Sequence, residues 1–412
     1  MKLSLVICVY NTDPAYLRQA LRSIADSTLT DYEICLVDDG SAQDYSALAE
    51  EFGARLCKTE NGGILHARIV GVGMATGTYT AFFDSDDTTS VDYHRPMLLR
   101  AEETGADIVI NDWAFRTEKA RYFCPRDRTL SQNLWEERDG ILRLFASQGG
   151  REHSFYVTWN KIYRTELLRR SMREIETGPL GRERVSFGED ALINFYAFRE
   201  ARLLTNVHTG YYFYRIHAAQ SVNIVSRERL EAQIRSMGQI LALMCSGVGN
   251  RSGKEEILVG LRRWQCLMSR THYAHARAGG YRELYPLICQ AYAVEKLQKP
   301  MWRDSSVYAG TRLLPENFEE IDRALLALLR AGGSVSVILP NRKGYAADTL
   351  RRWEAEKMIS PPAPEAAETC VRIPKAEFRF RNRVIHHPVV AGIGMLLVPK
   401  GSRLRAFLKR IL

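Results

Sequence analysis

The sequence predicts an α/β fold, a mostly parallel sheet with helices on both faces, followed by a mainly helical C-terminal region. Three observations carry this prediction. Short apolar runs alternate with segments of helical spacing through the first hundred residues. Three of those runs stop abruptly at polar or acidic clusters. After Ser226 the apolar spacing is helical almost throughout. Strands that alternate with helices imply right-handed crossovers and parallel pairing.

Residues 3–10, 32–37, 55–57 and 79–83 read as strands, short runs rich in aliphatic and aromatic side chains bounded by turn residues. Between them, 15–27, 45–52 and 64–75 place apolar residues at helical spacing. A helix at 93–104 leads to a further strand at 107–111, and the Arg-rich stretch 115–139 holds few signals. A helix near 140–147, a segment around 159–164, a helix from Ala191 and an aromatic strand at 210–215 follow. Residues 227–245, 254–278, 281–297 and 316–329 read as helices, with a Gly-rich joint at 247–253. A lone strand at 334–339, a helix near 345–358 and a Pro-containing linker at 360–368 complete the chain. The expected domains are 1–225, 226–359 and a linker with a basic tail at 360–412.

The 412 residues carry 57 Lys and Arg against 48 Asp and Glu, a formal charge of +9. Residues 371–412 hold ten basic side chains and one acid, Glu377, so the whole excess sits in the tail. A neutral body argues against a nucleic-acid-binding protein. The eight cysteines are scattered without a CxxC pair, which suggests a reducing compartment and neither a disulfide framework nor a zinc site. The apolar start meets Asn11 and Asp13 with no small-residue cleavage site, as a buried strand does and a signal peptide does not. The longest apolar stretch, 389–398, is far short of the ~20 residues a spanning helix needs. Within the tail, Leu404, Phe407, Leu408 and Ile411 fall on one helical face among Arg403, Arg405, Lys409 and Arg410. That pattern suits a helix lying on an anionic membrane surface, or one packed on its own domain.

Chemistry concentrates where strands end. Tyr10-Asn11 follows the first strand, Asp38-Asp39-Gly40-Ser41 the second, and Asp84-Ser85-Asp86-Asp87 the run 79–83. Ligands of open α/β sheets bind at the carboxyl ends of strands, where strand order reverses. Three carboxylates within four residues repel one another unless a cation is present. Mg²⁺ or Mn²⁺, completed by substrate phosphates, answers that need; a solvated turn with Asp87 as helix cap is the alternative. Asp38 and Asp39 can accept hydrogen bonds from a base or ribose, or simply form an acidic turn. Asn61-Gly62-Gly63 opens the helix containing Arg68, which is placed to reach a diphosphate or to serve as an exposed structural Arg.

Together these stretches resemble the family 2 glycosyltransferases of the GT-A fold: Ser4-Leu-Val-Ile-Cys-Val-Tyr-Asn11, Val37-Asp-Asp-Gly-Ser41, Ala67-Arg68 and Phe83-Asp-Ser-Asp-Asp87, in order and at family spacing. The resemblance continues in Trp159-Asn160-Lys161-Ile-Tyr163, Gly188-Glu189-Asp190 and Tyr212-Phe-Tyr-Arg215 with Ser221. Cys8 stands where the family has Pro, and Ile69 where it commonly has Asn. What the resemblance implies is an inverting transferase, a nucleotide-diphospho-sugar donor and a glycan or lipid-linked acceptor. It also implies bacterial cell-surface polysaccharide synthesis and a place at the inner face of the cell membrane. Tyr10, Asn11, Asp38 and Asp39 then hold the nucleoside. Asp86, with Asp84, holds Mn²⁺ or Mg²⁺, and His217 is a further ligand candidate, its alternative a structural His. Ser85, Arg68, Arg215 and Ser221 contact the donor. Asp190 is the candidate general base, with Glu189 in reserve; its bland alternative is a helix N-cap. Trp159, Asn160 and Lys161 are acceptor candidates, or a buried aromatic beside a surface lysine.

Two other classes compete. A sugar nucleotidyltransferase calls for a Gly-rich, basic triphosphate loop after the first strand, and Tyr10-Asn11-Thr12-Asp13-Pro14 is not one. A membrane-peripheral scaffold with a dead transferase domain does not need Asp84, Asp86 and Asp190.

Overall fold

The computed structural model describes residues 2–117, 122–124, 134–136, 138–148, 153–181, 183–216, 226–293, 312–313, 335–338 and 369–372. The expected helices at 316–329 and 345–358, the linker at 360–368 and the amphipathic tail lie outside the described residues, as do His217 and Ser221. Two compact units are present, one of Met1–Asp112, Asp127–Tyr212 and His217–Asp304, the other of Trp113–Arg126, Phe213–Ile216 and Ser305–Leu412.

In chain order the strands and helices are β1 (Leu3–Val9), α1 (Pro14–Ala25), β2 (Tyr32–Asp38), α2 (Ser46–Glu51), β3 (Arg55–Lys58), α3 (Ile64–Met74), β4 (Tyr79–Asp84), β5 (Thr88–Thr89), α4 (His94–Thr104) and β6 (Ile108–Ile110). Next come β7 (Trp113–Thr117), β8 (Tyr122–Cys124), β9 (Leu134–Glu136), α5 (Arg138–Gln148), α6 (His153–Tyr156), β10 (Lys161–Arg164), α7 (Thr165–Thr177), α8 (Glu189–Glu200), β11 (Leu203–Asn206) and β12 (Tyr212–Ile216). The remainder are α9 (Arg227–Ser246), α10 (Lys254–Gly279), a 3-10 turn (Arg282–Leu284), α11 (Tyr285–Ala291), β13 (Arg312–Leu313), β14 (Val335–Ile338) and β15 (Thr369–Arg372).

The first unit is built on an eight-stranded sheet in the order β3-β2-β1-β4-β10-β6-β11-β9. Strands β1 to β4, β6 and β11 run one way, and only β10 and β9 oppose them. Strand β1 is buried along nearly its whole length, as a central strand covered on both faces must be, whereas the ends of edge strand β3 are exposed. The order runs outward from β1 to β3 and resumes on its other side at β4, so the switch point lies between β1 and β4. Three expected cluster positions therefore border one crevice. Helix α1 starts as its sequence directs, with Asp13 capping Ala15 N–H at 2.8 Å and Pro14 in the first turn.

One apolar core continues from the sheet through α5, α7 and α8 into α9, α10 and α11. The rings of Phe145, Phe198 and Trp264 meet there, 5.3 and 5.8 Å from Phe145 to the other two. Gly260 allows α10 to lie close on α5, because a Cβ at that position would stand 2.5 Å from the Ala146 carbonyl oxygen. Helix α7 was not anticipated, although Leu167, Leu168, Met172 and Ile175 make its buried stripe. The helix expected at 281–297 is instead a 3-10 turn and a short helix that restarts at Tyr285-Pro286. Proline lacks the N–H an uninterrupted helix needs there. In the second unit, β7 and β8 form an antiparallel pair with Phe115 opposite Phe123, and β13 adds to β8; β14 and β15 pair in parallel. Cys8, Cys35, Cys57, Cys245, Cys266 and Cys289 are unbonded, and no described helix is long and apolar enough to cross a membrane.

Away from the crevice, Glu33 ties the opposite edge of the sheet together. Its carboxylate accepts from Ser4 Oγ, Thr76 N and Thr76 Oγ1, each at 2.6 Å, and from Arg55 Nη1 at 3.0 Å. Desolvation opposes its ionisation, but these donors outweigh it and hold the carboxyl down at about 2. A depressed folded-state pKa stabilises above the unfolded value near 4.5, and that stability is lost as pH falls toward 2. Glu33→Gln should therefore cost ~2–3 kcal/mol at pH 7. In urea denaturation its deficit against wild type should shrink between pH 7 and pH 4; a constant deficit would refute the linkage.

Candidate active site

Three loops are laced together at the carboxyl edge of the sheet. Asn11 takes a left-handed conformation with φ +50°. Its N–H donates to Ser41 Oγ at 2.9 Å and its Oδ1 accepts from Ala42 N at 3.0 Å. Asp38 is buried and accepts from Ser41 N at 2.9 Å, closing the turn after β2. Asp39, also buried, receives Gly62 N–H on one oxygen and Gly63 N–H on the other, both at 2.9 Å. The Asn61-Gly62-Gly63 loop is thus held by an acidic side chain from β2's end. Tyr10 stands 53% exposed at the rim.

Past β4, Asp84 and Asp86 are half-buried, and the Asp84 N–H donates to Tyr212 Oη at 2.9 Å. Ser85 is nearly buried and shares a 2.8 Å hydrogen bond with Thr12 Oγ1, linking the β4 turn to β1's end. Arg68 is the hub. It is buried, not the exposed arginine of the alternative reading. Its guanidinium reaches Asp84 Oδ1 at 3.4 Å, Glu189 Oε1 at 3.2 Å and Asp190 Oδ1, and lies 5.4 Å from the Phe82 ring centroid. Although desolvation opposes its charge, Asp190, Glu189 and Asp84 raise its pKa further.

Helix α8 delivers the last two carboxylates. Gly188 is its N-cap, at φ +94°. That conformation and the packing both require glycine, since a Cβ there would stand 2.6 Å from Met237 Sδ. Asp190 is accordingly not the cap. It sits in the first turn with its side chain turned to Arg68 and to Thr158 Oγ1, which donates to it at 2.8 Å. Burial, with Arg68 opposing and Asp190 and Asp86 reinforcing, pushes Asp84 up to about 7. Burial and Asp190 likewise raise Glu189.

Asp84, Glu189 and Asp190 surround one guanidinium, and Asp86 stands two residues beyond Asp84 on the same turn. Among the described residues no three His, Cys, Asp or Glu side chains converge to hold a metal ion unaided. The donor set is nonetheless one that fits Mg²⁺ or Mn²⁺, which take one or two carboxylates and complete their shells with water and phosphate oxygens.

The other predicted residues are placed differently. Trp159 is buried and stacks on Tyr212, centroids 4.5 Å apart at 16°. It thereby backs the tyrosine that receives the Asp84 N–H. Lys161 is not at the surface: it is buried, its Nζ donating to the Ser154 and Val157 carbonyls and to Asn160 Oδ1. Asn160 is buried beside it. Arg215 is buried on β12 and belongs to the second unit. Thr12 and Thr158 carry no signal in the sequence, because a hydroxyl's partner cannot be read from spacing.

Residues 4–171 match glycosyl transferase family 2. This domain is a member of that family. EpsH of Bacillus subtilis (strain 168) is 32% identical over 235 residues, covering 56% of this chain and 65% of EpsH, just under two thirds of the relative's length. EpsJ, an uncharacterized glycosyltransferase of the same organism, is 27% identical over 64% of this chain and 76% of its own. Among solved structures, S. aureus TarS 1-349 in complex with UDP-GlcNAc superposes with a TM-score of 0.54 and 20% identity, covering 80% of this chain and 88% of TarS 1-349. The family 2 domain thus has the GT-A fold, and its matched span carries every cluster of the crevice except the α8 pair.

Proposed function

We propose that the protein is an inverting glycosyltransferase that moves a sugar from a nucleotide-diphospho-sugar, a UDP-sugar, to a hydroxyl of a glycan or lipid-linked acceptor. The observation that carries this reading is the gathering of Asp84, Glu189 and Asp190 around buried Arg68 at the switch point of a family 2 domain. TarS, solved with UDP-GlcNAc, supports the choice of donor class. Tyr10 offers a ring face to the base at the rim. Asp39 Oδ2, which accepts from Gly63 N–H, keeps a second acceptor lone pair for a base N–H or ribose hydroxyl.

Asp86, assisted by Asp84, would hold Mn²⁺ or Mg²⁺. When bound, such an ion neutralises the charge that develops on the departing diphosphate. Asp190 takes the proton of the attacking hydroxyl on the face opposite the leaving group, as inversion requires. Arg68 holds that carboxylate in place. The basic, amphipathic sequence of residues 401–412 would keep the enzyme on an anionic membrane where lipid-linked acceptors lie.

The test begins with thermal shifts against UDP-, GDP- and CMP-sugars with and without Mn²⁺. A UDP-sugar should stabilise the protein only in the presence of the ion. Asp86→Ala should abolish the Mn²⁺-dependent part of that shift and lower sugar release at least ~100-fold. An Asp86→Ala protein with wild-type shift and turnover would remove the metal assignment. No shift with any nucleotide sugar would remove the donor class.

A further inference from the structure

We propose that Thr158 is a positioning residue for the transfer step: its hydroxyl orients the Asp190 carboxylate so that Oδ2 faces the attacking hydroxyl. The proposal rests on Asp190 being the base. Thr158 is fully buried, and its Oγ1 donates to Asp190 Oδ1 at 2.8 Å. Arg68 Nη1 meets the same oxygen. Both contacts fall on Oδ1, and among the described residues no side chain donates to Oδ2. A carboxylate is broad in its terminal torsion, and one partner leaves it free to rock. Two donors from different elements fix that torsion, and the other oxygen is left as the proton acceptor.

The loop that carries Thr158 is built to keep this distance constant. Asn194, one turn beyond Asp190 on α8, donates to the Tyr156 carbonyl at 2.7 Å and the Val157 carbonyl at 3.1 Å. Its own Oδ1 accepts from Tyr163 Oη at 2.7 Å. Lys161 Nζ gathers the Ser154 and Val157 carbonyls from below, and the Asn160 carbonyl accepts from Asn111 N at 3.0 Å. Asn194, Asn160 and Lys161 are all buried. Asn194 therefore ties the Thr158 loop to the helix that supplies Asp190, and Lys161 braces the same loop from the β10 side. A hydroxyl fixed to the base's own helix can hold the carboxylate within the few tenths of an ångström that in-line attack demands.

Two variants separate the hydroxyl from the methyl group. Thr158→Val keeps the shape and loses the donor; Thr158→Ser keeps the donor and opens a methyl-sized gap. They are compared with wild type and Asp190→Asn in release of UDP from whichever of UDP-glucose, UDP-galactose, UDP-GlcNAc or UDP-GalNAc the wild type turns over, with Tm recorded for each. Positioning predicts that Thr158→Val loses ~10–100-fold in kcat with donor KM within about twofold, and that Thr158→Ser stays within about threefold of wild type. A packing role predicts the reverse order, with the serine variant lower in both Tm and rate. In the Asp190→Asn background, Thr158→Val should cost almost nothing more. Wild-type kcat in Thr158→Val beside an inactive Asp190→Asn overturns the positioning role alone. Wild-type kcat in Asp190→Asn overturns the base, and this proposal with it.

Discussion

Replacing Arg68 with methionine should destabilise the protein by ~3–5 kcal/mol, the usual loss when one partner of a buried ion cluster is removed. The side chain is 5% exposed and meets three carboxylates from two elements, the end of β4 and the start of α8. Methionine fills the stem's volume, so the loss isolates the charge from the packing. Without the guanidinium, Asp84, Glu189 and Asp190 lose their common cation and face one another. Arg68→Lys should fall between, because an ammonium is a point charge and cannot reach all three with separate N–H groups. Pairing Arg68→Met with Asp190→Asn should recover part of the loss, since one uncompensated charge is removed with its partner. Urea denaturation of the four proteins reads these values. A loss below ~1 kcal/mol for Arg68→Met would mean that solvent screens the cluster and that burial does not govern it.

The crevice was legible in the sequence because position implies geometry in a parallel sheet. A polar cluster directly after a buried strand must stand at the sheet's carboxyl edge, and Asn11, Asp38, Asp39, Asp84 and Asp86 all do. Helix spacing, by contrast, tells which face a residue occupies and not what it meets. Arg68 was therefore open between a ligand contact and a surface arginine, and only the three-dimensional approach of α8 makes it a buried hub. The same limit applies to Trp159, Asn160 and Lys161. As a string they suggest a sugar-binding surface, but the antiparallel entry of β10 between β4 and β6 carries them inward. Asp190 shows a competition between two local rules. An acidic residue before an apolar helical run usually caps it, yet Gly188 takes the cap in a left-handed conformation and leaves the carboxylate available. Helix α7 follows β10 with no intervening turn residue, so no Gly or Pro marks its start at Thr165 although its apolar stripe is plain. The short α11 follows from Pro286, whose ring permits a helix start and forbids a helix interior.

Asp190→Asn should leave donor binding within about threefold of wild type while cutting transfer by ~10²–10⁴-fold, the range a general base contributes. Asparagine is nearly isosteric and its amide oxygen can still accept from Thr158, so neither the loop nor α8 needs to move. Arg68 keeps Asp84 and Glu189, which preserves most of the cluster's charge balance. What disappears is the basic oxygen, and with it the acceptor for the hydroxyl proton at the moment the new glycosidic bond forms. Calorimetric titration of UDP and a UDP-release assay separate the two effects. The nearness of Glu189, on the same guanidinium nitrogen at 3.2 Å, sets the control. Burial and Asp190 raise its pKa, which favours its protonated form. Glu189→Gln should then lower transfer by no more than ~10-fold, through altered charge around Arg68. If the two variants exchange these magnitudes, the base is Glu189, and Asp190 is the neighbour that raises its pKa.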